Sequence, residues 1–298
     1  MPARDVAAAG VSGTQTGTTP AAPDRYAVIG HPVAHSLSPR IHTLFARQTG
    51  QSLLYTAMDV TAGRLAPAVH EFFGRGGRGL NVTVPHKQAV MALADEATGR
   101  ARRAGAANTL WRDAASGRLC ADTTDGVGLV RDLVDNLHIR IAARRVLLLG
   151  AGGAARGVLE PLLACAPAVL LIANRTLERA AALAAQWAGA GPVRAAPLEL
   201  PDEAPFDLII HATAAGLADE MPPLPARLVT PTTLCYDMTY GRRESPFIRW
   251  ARHSGAQLCH MGLGMLVEQA AESFRLWRGI RPQTAPVLAA LRAAGEAL

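Results

Sequence analysis

Lys87 is the only lysine in this sequence of 298 residues, since arginine fills the other positions among its 30 lysines and arginines. It ends the segment Asn81-Val-Thr-Val-Pro-His-Lys87. A desolvated lysine can give up its proton, whereas an arginine stays charged in a protein. Lys87 is therefore a candidate proton donor and acceptor. The alternative is that Lys87 occurs here by chance, as a charged residue on the solvated surface without a function.

Two serines are candidates for binding an anion. Ser36 and Ser38 stand two positions apart, directly before a helix that Pro39 is predicted to open. Hydroxyl and N–H groups at the start of a helix can donate hydrogen bonds to a carboxylate or phosphate. The alternative is that Ser38 only N-caps the helix.

A glycine-rich segment directly follows the apolar run Val146-Leu-Leu-Leu and opens a predicted helix. It consists of Gly150, Ala151, Gly152, Gly153 and Ala154. In this position glycines let the backbone approach a pyrophosphate, and the N-terminus of the helix holds the anion. The segment therefore predicts a dinucleotide site, and a tight turn without a ligand is the alternative.

The end of the next predicted strand indicates which dinucleotide binds. A site for NAD usually has a carboxylate there, which binds the ribose hydroxyls. This chain has Asn174, Arg175 and Thr176, followed by Arg179. Two guanidinium groups and a hydroxyl suit a 2′-phosphate, so NADP is the predicted cofactor. The alternative is a helix cap at Thr176 beside exposed arginines.

The order of predicted elements favours an α/β protein with two domains. Residues 26–124 form a first unit, with helices predicted at 88–94 and 96–104 among others. Strands and helices alternate regularly over 125–262, which predicts a doubly wound parallel sheet of the Rossmann type. Residues 264–298 have a helical pattern, and 263–298 are expected to complete the first domain. The active site is then expected in the cleft between the domains.

Composition excludes several classes of protein. The net charge is +6, but the arginines are scattered and no aromatic residues alternate with them, so nucleic-acid binding is not expected. No apolar stretch is long enough to span a membrane. The four cysteines form no CxxC motif and indicate free thiols in the cytoplasm. Residues 1–25 are predicted to be a disordered tail.

Seven short motifs occur in an order and at spacings that resemble the shikimate dehydrogenase family, from residue 26 to about 295. They are Gly30-His-Pro-Val-Ala-His-Ser36-Leu-Ser38-Pro, Asn81-Val-Thr-Val-Pro-His-Lys87, Gly105-Ala-Ala-Asn108-Thr, Thr124-Asp125-Gly-Val-Gly, Gly150-Ala-Gly-Gly-Ala, Asn174-Arg-Thr and Gly262-Leu-Gly-Met-Leu-Val-Glu-Gln269. The resemblance implies an enzyme that transfers a hydride between NADP(H) and the pair shikimate and 3-dehydroshikimate.

The resemblance also implies a role for each matching residue. Ser36, Ser38 and Tyr240 would bind the substrate carboxylate. The ring hydroxyls would be bound by Thr83, Asn108, Asp125 and Gln269. Lys87 and Asp125 would form the acid–base pair, because an ammonium beside a carboxylate can stabilise and protonate an alkoxide. Met238 and Gly262 would complete the cofactor site.

Four positions depart from the usual family pattern. His31, Thr123 and His211 replace asparagines, and Met261 replaces an aspartate. His211 and Met261 are expected near the nicotinamide, so a paralogue that acts on quinate or another ring acid stays an alternative. Ser-x-Ser, rather than Ser-x-Thr, favours shikimate.

Two other functions are alternatives. The first is a binding protein without catalytic activity, and the presence of Lys87, Asp125 and the glycine loop argues against it. The second is a methylene-tetrahydrofolate-type dehydrogenase, but Ser36 and Ser38 fit a small acid better than the substrate of such an enzyme. No metal site is predicted, and the protein is expected to be a monomer or a homodimer.

Overall fold

Two six-stranded sheets form the framework of the described residues, which in this computed structural model are 22–213, 221 and 224–296. Most of the predicted tail lies outside these residues. Its last two positions do not belong to a tail, because the first strand begins at Asp24 and not at Tyr26. The side chain of Asp24 explains this earlier start, since it forms an ion pair with Arg278 near the other end of the chain.

The first sheet is mixed and has the strand order β2-β1-β3-β5-β6-β4. Strand β1 pairs in parallel with β2 and β3, β4 pairs in parallel with β6, and β5 runs antiparallel to both β3 and β6. The strands are β1 (Asp24–Gly30), β2 (Leu53–Asp59), β3 (Gly77–Val82), β4 (Glu96–Ala97), β5 (Thr109–Arg112) and β6 (Leu119–Asp122). The helices of this unit are α1 (Ser38–Thr49), α2 (Leu65–Gly74) and α3 (Gly99–Ala104).

Two predicted helices of the first unit were wrong in type or extent. Residues 88–94 form a 3-10 helix at Ala89–Leu93. The predicted helix at 96–104 starts only at Gly99, because Glu96 and Ala97 pair with β6. Thr98 then caps the shortened helix and accepts a hydrogen bond from Ala101 N at 3.3 Å.

The second sheet is wholly parallel and has the order β12-β11-β10-β7-β8-β9. Its strands are β7 (Arg145–Leu149), β8 (Val169–Ala173), β9 (Val193–Ala196), β10 (Leu208–His211), β11 (Leu234–Asp237) and β12 (Leu258–Met261). The first of its helices in sequence, α4 (Asp125–Arg131), is followed by α5 (Gly153–Ala164), α6 (Leu177–Ala185) and α7 (Pro246–His253). Read from β9, the strand order is 3-2-1-4-5-6, which is that of a Rossmann fold and confirms the predicted fold class.

The strands of this parallel sheet are apolar on both faces because helices cover both. Val146 and Leu148 of β7 join one buried cluster, and Leu147 and Leu149 join another. The direction of β7 and β10 brings their carboxyl ends side by side, where the strand order reverses. Ligands of open α/β sheets bind at this switch point.

Helix α4 lies between the two sheet units and contacts a helix of each. A Cβ at Gly126 would lie 2.4 Å from Pro161 Cγ in α5. On the other side, a Cβ at Gly128 would lie 2.7 Å from the Cβ of Gln269 in α8 (Leu263–Arg278). Both helices therefore approach the backbone of α4 more closely than any side chain would allow.

The C-terminal stretch is helical, as predicted, and consists of two helices. Helix α8 ends at Gly279, whose φ of 72° is left-handed, and α9 (Ala285–Ala293) follows. Helix α8 packs Val267 and Phe274 against Ile41 and Phe45 of α1, so it buries its apolar face on the first unit. No helix in the described ranges is long and apolar enough to cross a bilayer.

Candidate active site

Lys87 and Asp125 form a close ion pair between the two units. The loop after β3 carries Lys87, and Asp125 is the first residue of α4. Lys87 Nζ lies 2.6 Å from Asp125 Oδ2, and their side chains are only 14% and 5% exposed. A charge pair this far removed from water is stronger than a surface pair, and an aspartate at a helix N-terminus is stabilised by the helix dipole.

The backbone around Lys87 is fixed by its neighbours. The His86 ring donates a hydrogen bond to the carbonyl oxygen of Val60, and that ring is buried. Ala107 N donates to the Lys87 carbonyl at 2.8 Å. The backbone at Lys87 is thus held by a buried histidine and by the loop between α3 and β5.

The amide of Asn108 connects Asp125 to the rest of the site. Its Nδ2 lies 2.9 Å from Asp125 Oδ1, 2.8 Å from Thr124 Oγ1 and 3.1 Å from Gln269 Oε1. Its Oδ1 accepts a hydrogen bond from Thr124 N at 2.8 Å. Both carboxylate oxygens of Asp125 therefore have a partner, one in Lys87 and one in Asn108.

The two serines stand at the start of α1 with their hydroxyls unused for capping. The helix begins at Ser38, its N-cap is Leu37, and no side chain caps it. Ser36 Oγ accepts a hydrogen bond from Ser38 N at 3.3 Å. Burial raises the pKa of Tyr240, and its hydrogen bonds with the Leu37 backbone and the Ser36 side chain oppose that rise.

One cavity of about 220 Å³ brings all the predicted substrate and catalytic residues together. Its lining includes Ser36, Ser38, Thr83, Lys87, Asn108, Asp125, Tyr240 and Gln269. The cavity extends to the Rossmann unit, where Ala154 and Met238 contribute to its wall. Its lining combines the hydroxyls of Ser36, Ser38 and Tyr240 with the Lys87–Asp125 ion pair, which suits a small polyhydroxylated acid.

Ser273 was missed as a member of this network. Its Oγ lies 3.2 Å from Thr124 Oγ1 and 2.8 Å from Thr109 Oγ1, and it accepts from Asn81 Nδ2 at 3.0 Å. Ser273 stands four residues after Gln269 in α8, so the two share one face of the helix. That spacing was the available signal.

The glycine loop lies directly against Lys87. Gly150 has a φ of 112°, which favours glycine, and its N donates to the Ala173 carbonyl of the neighbouring strand at 2.8 Å. A Cβ at Gly153 would lie 2.9 Å from Lys87 Cβ, whereas one at Gly152 would meet nothing within 4 Å. Since no side chain caps the start of α5, its first N–H groups can bind a pyrophosphate.

The segment after β8 lies next to this loop, because β7 and β8 are paired in register from Arg145 to Leu149. Asn174 Nδ2 donates to the Thr176 carbonyl at 2.9 Å. Thr176 is the N-cap residue of α6, yet its side chain makes no capping bond. Arg175 and Arg179 are exposed and form no ion pair with any residue in the described ranges. These groups fit a 2′-phosphate, so the residues present suit NADP.

The buried His211 joins two turns at the carboxyl edge of the Rossmann sheet. Its Nε2 lies 2.7 Å from Thr213 Oγ1, and its Nδ1 lies 3.3 Å from Asp237 Oδ2 without hydrogen-bond geometry. Asp237 Oδ1 accepts from both the N and the Oγ1 of Thr239. Met238 N donates to the His211 carbonyl, and Gly262 packs against the Met238 carbonyl. The predicted cofactor residues Met238 and Gly262 are therefore neighbours.

The other departures from the family pattern lie away from the cavity. Met261 packs against the buried cluster on one face of the sheet, and not among the cavity residues. His31 is exposed and pairs with Asp59 at 2.6 Å. Thr123 is buried, and its N donates to Asp122. Of the four, only His211 lines the cavity.

Three family models match the chain. They are the shikimate dehydrogenase substrate binding domain over residues 28–110, shikimate/quinate 5-dehydrogenase over residues 132–218 and the shikimate 5'-dehydrogenase C-terminal domain over residues 262–292. A shikimate dehydrogenase (NADP(+)) of Alkalilimnicola ehrlichii is 54% identical over 269 residues, which cover 90% of this chain and 98% of that protein. The chain belongs to the shikimate dehydrogenase family. A second relative of the same name, from Methylococcus capsulatus, is 53% identical over 91% of this chain and 97% of that protein.

Solved structures similar to this member of the shikimate dehydrogenase family share its whole architecture. An Ael1 enzyme from Pseudomonas putida has a TM-score of 0.83 at 44% identity, covering 90% of this chain and 98% of that one. Shikimate 5-dehydrogenase from Thermus thermophilus, in complex with NADP(H) and shikimate, has a TM-score of 0.78 at 36% identity, covering 91% and 99%. Within the described part of the chain, no cluster of three or more potential metal ligands occurs.

Proposed function

We propose that this chain catalyses the reversible, NADPH-dependent reduction of 3-dehydroshikimate to shikimate. The observation that carries this proposal is the Lys87–Asp125 pair, which lines a small cavity directly beside the glycine loop. The names of the relatives and the bound shikimate and NADP(H) of the Thermus thermophilus structure support it.

We propose that the substrate carboxylate binds at the start of α1. Ser36 and Ser38 carry hydroxyls that do not cap the helix, and Tyr240 lies against them. Hydrogen bonds that donate to a charged carboxylate are about twice as strong as those between neutral groups. The three hydroxyls would hold the acid end, which leaves the ring over Lys87.

The ring hydroxyls would be bound by Thr83, Asn108, Asp125 and Gln269, which line the same cavity. An unpaired buried polar group costs about 1–3 kcal/mol, so a cavity with this many polar atoms favours a polyhydroxylated ring over an apolar one. The existing hydrogen bonds among these side chains orient them before the substrate arrives.

NADP, when bound, supplies or accepts the hydride. The N–H groups at the start of α5 would hold its pyrophosphate, and Arg175 and Arg179 with Thr176 would hold its 2′-phosphate. Met238 and Gly262 would flank the nicotinamide end. Asn174 would stabilise the conformation of the loop after β8 through its hydrogen bond to the Thr176 carbonyl.

Lys87 would supply the proton that the reaction needs. Hydride addition to the ketone leaves negative charge on oxygen, and an ammonium beside that oxygen stabilises the charge and then donates a proton. Asp125 keeps the lysine oriented and would help to take up the proton in the reverse direction. Asn108 donates a hydrogen bond to Oδ1 of Asp125 and so fixes the orientation of the carboxylate toward Lys87.

We further propose that residues 26–124, together with the first two residues of β1 and with 263–298, form the substrate domain, and that residues 125–262 form the NADP domain. A cytoplasmic location and a monomer or homodimer stay predictions from the sequence. The sheet divisions and the apolar packing of α8 on α1 support the domain boundaries.

One assay tests this function. Purified protein is offered shikimate or quinate with NADP⁺ or NAD⁺, and absorbance of the reduced nicotinamide is followed. We expect turnover to be fastest with shikimate and NADP⁺. No turnover with any pair would refute the activity, and faster turnover of quinate would replace the substrate assignment.

A further inference from the structure

Two cysteines face each other on neighbouring strands of the Rossmann sheet. Cys235 of β11 and Cys259 of β12 are direct partners in the parallel register. Neighbouring strands lie about 4.8 Å apart, and a disulfide needs a Cα–Cα distance of about 4.4–6.8 Å. The backbone spacing of these partners is therefore compatible with a disulfide without a change of strand register.

The two side chains point to the same face of the sheet. Both belong to the buried cluster that includes Phe247 and Ala251 of α7. Cys235 is fully buried, whereas Cys259 is half-buried and reachable from solvent at the edge strand. One thiol is thus accessible to a small oxidant, and its neighbour is protected and adjacent.

The surroundings of the two thiols shift their pKa values in opposite directions. The hydrogen bond from Cys235 and the positive charge of Arg252 lower the pKa of Cys259 to about 7, although burial and Glu244 oppose this. The hydrogen bond with Cys259, together with burial, raises the pKa of Cys235 well above its usual range. Since the thiolate is the nucleophile, Cys259 is the thiol that reacts first.

We propose that Cys235 and Cys259 form a dithiol site that hydroperoxides oxidise to a reversible disulfide. This site is separate from the proposed dehydrogenase activity, and no step of that activity uses either thiol. The other two cysteines lack such a partner. Burial raises the pKa of both Cys120 and Cys165, and they stand on separate elements.

The chemistry balances with hydrogen peroxide as the oxidant. The Cys259 thiolate attacks one peroxide oxygen, the O–O bond breaks, and the product is a sulfenic acid, with the leaving hydroxide taking up a proton to form water. The Cys235 sulfur then attacks the sulfenic sulfur, the S–O bond breaks, and the Cys235 proton leaves with the hydroxide as a second water. Two thiols have lost two electrons, and the peroxide has gained them.

The site lies close to the predicted cofactor residues. Met238 directly follows β11 and lies three residues after Cys235, and Gly262 directly follows β12 and lies three residues after Cys259. A disulfide would join these two strands two to three residues before the turns that carry Met238 and Gly262. The oxidised form would therefore lock the spacing of the strands that end at the cofactor site.

Intact-mass spectrometry of the full chain after hydrogen peroxide treatment tests the proposal. We expect a loss of about 2 Da, the mass of two hydrogens, that dithiothreitol reverses. Peptide mapping should then join the peptides of Cys235 and Cys259. A gain of about 16 Da per oxygen at Cys259 in place of the loss, or a disulfide that joins other cysteines, would overturn it.

Three variants complete the test. Cys235→Ala should gain oxygen at Cys259 in place of the loss, and Cys259→Ala should stay unmodified under the same treatment. The matched control Cys165→Ala, which removes a half-buried thiol elsewhere in the Rossmann unit, should still lose the two hydrogens. An unchanged loss in Cys259→Ala would also refute the site. If a variant fails to fold, the peptide map of the unaltered chain tests the proposal by itself, through the presence or absence of a link between the peptides of Cys235 and Cys259.

Discussion

Lys87 Nζ lies 2.6 Å from Asp125 Oδ2, although a loop of one sheet unit carries the lysine and a helix between the two units carries the aspartate. Asn108 holds the second oxygen of the same carboxylate at 2.9 Å. Three segments of the chain therefore converge on one carboxylate, and its two oxygens are already committed before any substrate binds.

Replacing Lys87 should remove the proton donor and leave the cofactor site intact. We expect Lys87→Ala to lower kcat by about 10²–10⁴. Lys87→Arg should not restore the rate, because arginine keeps its proton. Steady-state kinetics with shikimate and NADP⁺ measures kcat, and cofactor fluorescence titration measures the Kd for NADPH, which should stay unchanged.

The matched control for that lysine is Arg47→Ala, which removes an exposed cation from α1. It should leave kcat unaltered. A rate for Lys87→Arg close to that of the unaltered enzyme would show that positive charge alone is sufficient and that no proton passes through this residue.

Replacing Arg175 and Arg179 together should change the preference between cofactors. Each guanidinium is exposed and forms no ion pair among the described residues, so its removal should affect only the proposed contact to the 2′-phosphate. We expect KM for NADP⁺ to rise about 10–100-fold, on the order of 1.5–3 kcal/mol for charge-assisted hydrogen bonds, and KM for NAD⁺ to change little. Arg140→Ala, another exposed arginine of the same unit, is the control. An equal rise for both cofactors would contradict the assignment of NADP.

A methyl group at Gly126 should push α4 away from α5. A Cβ there would lie 2.4 Å from Pro161 Cγ and 2.5 Å from the Gly157 carbonyl oxygen. We expect Gly126→Ala to reduce the free energy of unfolding by about 1–3 kcal/mol, measured by urea denaturation. Gly74→Ala is the control, because a Cβ at Gly74 would meet no atom within 4 Å, and it should be neutral or stabilising. Equal stability of the two variants would show that the helices can separate freely.

The buried His42 should make stability fall as the pH decreases. Burial lowers its pKa to about 3, and it stacks on Tyr55 at 4.2 Å. In the unfolded chain this histidine binds a proton below about pH 6.5, whereas in the folded chain it binds one only below about pH 3. Between these two pH values the free energy of unfolding therefore rises with pH. The histidine contributes a slope of about 1.4 kcal/mol per pH unit.

Urea unfolding at pH 7, 6 and 5 measures that slope. His42→Leu should flatten it relative to the unaltered chain, because the variant has no proton to bind at this position. His70→Leu, which alters an exposed histidine of α2, should leave the slope as it was. A slope that His42→Leu does not alter would assign the pH dependence to other groups.

Most of the fold was predictable because local patterns determine it. The regular alternation of strands and helices over 125–262 predicted the parallel Rossmann sheet, and the resemblance of seven ordered motifs indicated the family. The prediction failed where tertiary pairing overrides local pattern. Glu96 and Ala97 look helical in the sequence, but pairing with β6 makes them a short strand.

The site residues that lie in short contiguous sequence motifs could be predicted. The predicted substrate and catalytic residues line one cavity, and the activity as an NADP-dependent shikimate dehydrogenase agrees with the names of the relatives. Their individual roles stay predictions. Ser273 and the contact between His211 and Asp237 were not foreseen, because they join residues far apart in sequence. Met261 was expected near the nicotinamide; its side chain packs against a buried cluster of the Rossmann sheet and does not line the cavity.

The position of α4 ties the acid–base pair to the junction of the two units. Asp125 begins a helix that packs on the Rossmann unit through Gly126, yet Thr124 and Asp125 are hydrogen-bonded to Asn108 of the first unit. Any separation of the units would therefore break either the contact of α4 with α5 or the contacts of Asp125 with Lys87 and Asn108. The geometry of the acid–base pair is thus coupled to the way the two units are joined.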